Sequence, residues 1–327
     1  MNKPPLLEVN RLVKHFFIRG GLLGGIAGRV RAVDDLGFAL ERGETLSLVG
    51  ESGSGKSTVG RTILGLIRPD GGEIWLDGAR IDQLSRARMR ALRQRMQIVF
   101  QDPFSSLNPR LSVRDCLAEP LANFGLARGK AERERRIFDL LDQVMLPRAA
   151  ADRLPHEFSG GQRQRIAIAR ALAPRPDLII CDEAVSALDV SVKAQIINLL
   201  ADLQKELGLA LLFISHDLAI VEHLTHRIAV MYLGQIVEIG PRDAVFSRPQ
   251  HPYTEALLSA VPMPDPETKR RRIVLAGDIP SPRNPPQGCR FHTRCPYVFD
   301  RCRVEAPALR GPGTHRAACH LDALPGA

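Results

Sequence analysis

The run Gly50-Glu51-Ser52-Gly53-Ser54-Gly55-Lys56-Ser57-Thr58 constrains this chain more than any other feature. It matches GxxxxGK[ST] and stands between an apolar run at 44–49 and a segment of helical apolar periodicity at 57–67. A strand–turn–helix of this kind gathers backbone N–H groups and a helix N-terminus around a phosphate, and its glycines let the backbone approach closely. The spacing predicts that Lys56 reaches the β- and γ-phosphates of a nucleoside triphosphate and that Ser57 ligates Mg²⁺.

The surrounding pattern alternates strands and helices. Residues 6–14 and 31–40 read as strands, joined by a hairpin loop holding Gly20, Gly21, Gly24, Gly25 and Gly28. Residues 86–150 are helical and charge-rich. Their RARMRALRQR stretch suits either a nucleic-acid patch or the solvated face of a packed helix. Short apolar strands at 177–182 and 209–215 complete an α/β fold with a mostly parallel core sheet. The first of them ends in Asp182, followed by Glu183, and a parallel strand delivers such residues to the carboxyl edge, where open α/β sheets bind ligands. There Asp182 can join the Mg²⁺ shell while Glu183 faces an attacking water. Behind a phosphate loop, that pair indicates a hydrolase.

Composition excludes several classes. The 327 residues are 44% hydrophobic and 25% charged, as in a globular chain with ample core. The longest apolar stretch, Leu207 to Ile214, is too short to span a bilayer, and the N-terminus lacks a signal-peptide core, so a cytoplasmic location is expected. The net charge is +9, and residues 261–327 hold 11 Lys/Arg against 6 Asp/Glu. Seven prolines fall among the 27 residues from Pro262 to Gly288, which reads as a linker. Beyond it lie Cys289, Cys295, Cys302 and Cys319. Their spacing fits neither the usual zinc pattern nor the bacterial ferredoxin run, yet four clustered thiols could hold zinc or an iron–sulfur cluster, or remain thiols or disulfides. His292, His315 and His320 flank them as substitute ligands.

Phe158-Ser159-Gly160-Gly161-Gln162 heads the helical segment RQRIAIARALA and closely resembles the signature of the ATP-binding cassette (ABC) family. Over residues 6 to about 260 further elements follow in family order. Gln101 at the end of IVFQ resembles the Q-loop, and Ser186-Ala187-Leu188-Asp189 resembles the D-loop. His216 follows LLFIS at the position of the switch histidine. Phe16 resembles the aromatic that stacks on adenine, with Phe17 as the alternative. FQDPFSSLNPR, SALDVSVKAQIINLL, MYLGQIVEIG, HPYTEALLSAVP and the cysteine tail are similar to ATPase subunits of bacterial oligopeptide/dipeptide importers.

The resemblance implies a cassette over 1–260, with a mostly parallel core sheet, an antiparallel β subdomain and a helical subdomain at about 102–172. A Pro-rich linker and small Cys-rich extension would follow over 261–327. It implies ATP and Mg²⁺ at residues 50–58, with Gln101 and Asp182 near the metal, Glu183 as general base and His216 at the γ-phosphate. In a head-to-tail cassette dimer, Ser159, Gly160, Gly161 and Gln162 would face the partner's ATP, and Ser186 and Asp189 would be the D-loop residues. It further implies a second ATPase subunit, commonly a different chain, two transmembrane permeases and, indirectly, an extracytoplasmic solute-binding protein. The site of action would be the cytoplasmic face of the inner membrane, and no nucleic acid would be bound. For the four cysteines the resemblance favours a [4Fe–4S] cluster over Zn²⁺. A soluble cassette ATPase acting on nucleic acid or ribosomes is the alternative raised by the arginine-rich helix and positive charge.

Overall fold

The structure, a computed structural model, describes residues 4–20, 25–261 and 273–325. In chain order its first elements are β1 (Leu7–Gly20), β2 (Gly25–Leu40), β3 (Thr45–Val49), α1 (Lys56–Ile63), β4 (Gly71–Leu76), β5 (Ala79–Arg80), α2 (Arg86–Leu92), β6 (Met96–Val99), α3 (Pro103–Ser106), α4 (Val113–Asn123) and α5 (Gly129–Gln143). Then come α6 (Gly160–Leu172), β7 (Leu178–Asp182), α7 (Val190–Leu207), β8 (Ala210–Ser215), α8 (Leu218–Leu224), β9 (Arg227–Tyr232), β10 (Gln235–Pro241), α9 (Arg242–Ser247), α10 (Pro252–Ser259), α11 (Asp300–Val304) and β11 (Arg316–Ala317). The chain divides into two compact units, one of 1–39, 46–82 and 215–327, the other of 40–45 and 83–214.

The first unit holds a sheet ordered β2-β1-β4-β5, in which β4 runs antiparallel to β1 and β5. Alternation buries Leu7 and Val9 of β1 on one face, as a half-covered strand requires. The unit also carries strands ordered β11-β10-β9-β3. Here β3 is parallel to β9, whereas β10 runs antiparallel to both neighbours. Every residue of β3 is buried, so the strand that leads into the phosphate loop is locked in the core. The tail from 273 to 325 belongs to this same unit.

The second unit is built on parallel strands ordered β8-β7-β6. All residues of β7 and β8 are buried, the mark of strands covered on both faces. Among the helices, α7 buries Ile196, Ile197, Leu199, Leu200 and Leu203, a stripe of 3–4 spacing, and stops at Gly208 in the left-handed region.

The strands flanking the expected hairpin are longer than their apolar alternation suggests. Gly20 lies in β1, Gly25 and Gly28 lie in β2, and Gly21 and Gly24 fall outside the described residues. Helix α1 stops at Ile63 and not near 67, because Gly65 at φ +62° closes its C-terminus. Strand β6 ends at Val99, two residues before Gln101, and Pro103, which lacks an N–H for a ladder, opens α3. Of the expected linker, 262–272 lie outside the described residues and 273–287 form neither helix nor strand. Among the described residues no helix is long and apolar enough to cross a membrane.

Candidate functional site

In the first unit the phosphate loop leaves buried β3 and winds into α1. Gly55 caps α1 at φ +106°, and a Cβ there would lie 1.9 Å from the carbonyl oxygen of Ala32. A Cβ on Gly50 would lie 2.2 Å from the Met231 carbonyl oxygen. Both glycines therefore answer to close backbone neighbours as well as to the phosphate motif. At the loop's outer turn Ser52 and Gly53 are exposed, whereas Ser54 is buried and its carbonyl accepts from Gly234 N–H at 3.0 Å. Lys56 is only 4% exposed; its Nζ donates to the Gly50 and Glu51 carbonyls at 2.8 and 2.9 Å. The ammonium thus lies across the loop's own carbonyls. Ser57 and Thr58 follow, half-buried, in the first turn of α1.

Three other expected residues lie in this unit. His216 is exposed immediately after β8, ahead of an α8 whose cap Asp217 accepts from Ala219 N–H. Phe16 and Phe17 are consecutive on β1, hence on opposite faces, and are 39% and 59% exposed. Phe16 carries Lys14 Nζ 5.4 Å from its ring centroid.

The second unit places Asp182 and Glu183 at the carboxyl end of β7. Asp182 is 4% exposed, and Glu183 is half-buried with φ +52°, a left-handed conformation unusual for a residue with a side chain. Directly after it the D-loop turns back, with Ser186 Oγ donating to the Glu183 carbonyl at 3.0 Å. Asp189 caps α7 and is exposed. Gln101 is exposed beyond the end of β6.

Ser159 caps α6 reciprocally: its Oγ accepts from Gln162 N–H at 3.3 Å, and Gln162 Oε1 accepts from Ser159 N–H at 3.0 Å. Behind this cap Arg163 is buried and donates to the Pro155 and His156 carbonyls. Gly161 faces α7, where a Cβ would lie 2.3 Å from Val192 Cγ1. This unit therefore brings the signature and the D-loop together, each at a helix start.

Hard oxygen donors suit Mg²⁺, and the Ser57 hydroxyl and Asp182 carboxylate are of that kind. Ser57 in the first unit and Asp182 in the second each have donor chemistry that suits the ion, which when bound would supply charge neutralisation for phosphates.

Two residues to which the sequence assigns no role bear on the loop. Arg294 clasps the Glu51 carboxylate with two bonds of 2.7 and 3.0 Å, and Tyr253 Oη accepts from Glu51 N–H at 2.8 Å. The local signal for Tyr253 is His251-Pro252, a cap followed by proline at the first helical position: His251 Nδ1 accepts from Tyr253 N–H. Arg294 has no such signal.

The cysteine tail departs from expectation. Among the described residues no three His, Cys, Asp or Glu side chains are grouped to hold a metal ion, which overturns the expected iron–sulfur or zinc site at Cys289, Cys295, Cys302 and Cys319. Burial and mutual proximity favour the neutral thiol form of these cysteines. Cys289 is pushed up to about 11 and Cys295 to about 12, first by burial and further by the neighbouring cysteines, and Cys319 is raised too. The flanking histidines are engaged elsewhere. His292 bonds the Cys289 carbonyl, His320 the Glu305 carbonyl, and His315 the carboxylate of fully buried Glu238 at 2.8 Å.

A phosphate loop after a buried parallel strand, and an acidic pair closing another, define a phosphate-loop nucleotide hydrolase. The family described as "ABC transporter" matches residues 33–186, and that described as "Oligopeptide/dipeptide transporter, C-terminal region" matches residues 237–302. The chain is 54% identical to the probable peptide ABC transporter ATP-binding protein y4tS of Sinorhizobium fredii, over 97% of this chain and 90% of that one. It is 49% identical to the oligopeptide transport ATP-binding protein AppF of Bacillus subtilis, over 98% of each. The dimeric ATP-binding cassette MJ0796, solved in a post-hydrolysis state with ADP and Pi, superposes with a TM-score of 0.65 at 28% identity, over 72% of this chain and 98% of that one. This chain belongs to the ABC transporter ATPases, in the branch of ATP-binding subunits that carry the oligopeptide/dipeptide transporter C-terminal region. The relatives are transporter subunits, so the nucleic-acid alternative gains no support. Of the five arginines that suggested it, Arg86, Arg88 and Arg90 are exposed on α2 while Met89 is buried, as on the solvated face of a packed helix, and Arg93 and Arg95 are half-buried, Arg95 bonding the Asp177 carboxylate at 2.5 Å.

Proposed function

We propose that this subunit couples ATP binding and hydrolysis, in a head-to-tail cassette dimer, to the uptake of di- or oligopeptides or similar small solutes. It would act at the cytoplasmic face of the membrane, beneath two permease subunits, paired with a second and different cassette chain and served indirectly by a solute-binding protein. The observation that carries this reading is an intact phosphate loop and Asp182–Glu183 pair on a chain similar over nearly its whole length to peptide-importer ATP-binding proteins.

In this reading Lys56 and the N–H groups of residues 50–58 hold the phosphates, Phe16 stacks on the adenine, and Ser57, Gln101 and Asp182 surround the magnesium. Glu183 polarises the attacking water and His216 contacts the γ-phosphate. Ser159, Gly160, Gly161 and Gln162 offer a capped helix N-terminus to the partner's nucleotide, with Ser186 and Asp189 beside them. That the signature helix is capped yet exposed at Ser159 and Gln162 supports an anion arriving from another chain. The cassette would comprise 1–260, with its helical part at about 102–172, followed by the extension 261–327. Catalysis is then chiefly electrostatic positioning, conditional on closure of the dimer.

The deciding experiment is solute-stimulated ATPase activity in membranes holding this chain, its permeases and the partner cassette. Peptide-dependent turnover that disappears with Glu183→Gln, while ATP binding persists, is the expected result. Turnover indifferent to every peptide offered would reject the assignment of substrate.

A further inference from the structure

We propose that Arg294 is a positioning residue for the phosphate loop: by neutralising and fixing Glu51 from the C-terminal tail, it sets the loop's affinity for the nucleotide's phosphates. This rests on the reading of residues 50–58 as the nucleotide site.

Glu51 is an awkward residue for its place. It puts a carboxylate into a loop whose N–H groups and helix N-terminus are arranged to attract a polyanion. Left bare, that charge would oppose phosphate entry. Both of its oxygens are instead taken by the guanidinium of Arg294, at 2.7 and 3.0 Å, in the bidentate geometry that makes such pairs strong. The arginine is only 9% exposed, so the pair is shielded from much of the screening that weakens surface ion pairs.

The remaining polar groups of Glu51 are held as well. Its N–H donates to Tyr253 Oη at 2.8 Å, and its carbonyl accepts from Lys56 Nζ at 2.9 Å. When Lys56 turns from the loop carbonyls to a phosphate, Glu51 loses one of these holds. Arg294 and Tyr253 then keep the first turn of the loop in place.

The tail is well fixed for this task. Arg294 N–H donates to the Phe291 carbonyl at 3.0 Å, closing a tight turn. Phe291, 1% exposed, packs edge-on against Tyr232 at 5.3 Å and lies 5.4 Å from Tyr253. The guanidinium itself sits 5.9 Å from the Tyr232 ring centroid. One aromatic cluster therefore positions both residues that grip Glu51.

The test compares the wild-type chain with Arg294→Met, Arg294→Lys and the double variant Glu51→Gln/Arg294→Met. Each is assembled with its partners and measured by ATP titration, steady-state kinetics and nucleotide-free thermal melting. Arg294→Met should weaken ATP binding about tenfold and raise KM in parallel, with kcat held within about twofold, as expected when a buried charge loses its partner. Adding Glu51→Gln should recover most of that affinity, because the uncompensated carboxylate is gone; a merely structural arginine would give no such rescue. Arg294→Lys keeps the charge but loses the fork, so a rise in Kd of about threefold is expected, and it serves as the test if the methionine variant does not fold. Unchanged Kd in the single variants, or no recovery in the double variant, overturns the proposal. A wild-type chain that binds no ATP would instead overturn the nucleotide reading itself.

Discussion

The backbone N–H of Glu183 donates to the carbonyl of Ile214 at 3.0 Å, just past the point where Asp182 pairs with Ile214 in the β7–β8 ladder. The bond ties Glu183 to the sheet edge while its backbone turns to φ +52°. A glutamate in this region stores strain of about 1 kcal/mol that glycine would not.

Two substitutions at this position should therefore separate stability from chemistry. Glu183→Gly is expected to melt later than Glu183→Gln, by about 1 kcal/mol in unfolding free energy. Both should lower ATP turnover by about 10²- to 10⁴-fold while nucleotide binding persists. Denaturant unfolding beside single-turnover hydrolysis checks the pair, and equal stability of the two variants counts against backbone strain.

Gly55 and Gly53 make a second comparison. A methyl on Gly55 would meet the Ala32 carbonyl oxygen at 1.9 Å, whereas one on Gly53 meets nothing within 4 Å. Gly55→Ala should cost upwards of about 2 kcal/mol and abolish ATP binding; Gly53→Ala should cost about 1 kcal/mol, from its φ of +80° alone. Melting curves and ATP titration of the purified variants decide between them.

Stability should also depend on pH through His251. This ring is buried, and burial lowers its pKa to about 3 from 6.5. As pH falls the unfolded chain takes up the proton first. The contribution of His251 is thus complete above about 6.5 and is lost progressively toward 3, at up to about 1.4 kcal/mol per pH unit. His251→Asn retains an acceptor for Tyr253 N–H and removes the titration, so its unfolding free energy should fall less steeply between pH 6.5 and 5. Parallel slopes for the two proteins would show that His251 is not the titrating group.

Close packing of the signature helix on α7 gives a fourth test. Gly161→Ala should destabilise the chain by about 1–3 kcal/mol, since the new methyl would overlap Val192. Adding Val192→Ala should recover part of the loss, a coupling expected only of residues in contact. Strict additivity in a double-mutant cycle would be evidence that the two helices do not meet there.

The phosphate loop and the acidic pair were legible in the sequence because their information is local. A strand, a tight turn and a helix start occupy one stretch from Thr45 to Ile63, and β7 runs straight into Glu183. The α/β class followed from the same alternation. Contacts made over long separations were not legible. Glu51 and Arg294 stand 243 residues apart, and no spacing rule connects them. The left-handed backbone of Glu183 is likewise set by β8 and has no signature in its own residue type. Gln101 reads as the end of a strand because Ile98, Val99 and Phe100 are apolar, yet the ladder stops at Val99. The cysteines misled in another way. Four thiols close in sequence suggest a metal, but spacing does not report how the fold arranges them, and among the described residues no three ligand side chains are grouped to hold one.

The two-residue strand β11 carries a consequence for solubility. Through its pairing with Glu238 and Ile239, and the bond from Ala318 N–H to the Val237 carbonyl at 2.7 Å, the tail covers the outer side of β10, whose interior residues are buried. Without that cover, β10 would present an open row of backbone donors and acceptors to any other extended chain. The strand laid over it is only two residues long, and on its far side Ala317 exchanges backbone hydrogen bonds of 3.0 and 2.8 Å with Arg310, which closes the row. Residues 316–318 thus act as a hem on the sheet, and a chain cut before Arg310 is expected to self-associate through β10 even where its nucleotide chemistry is intact.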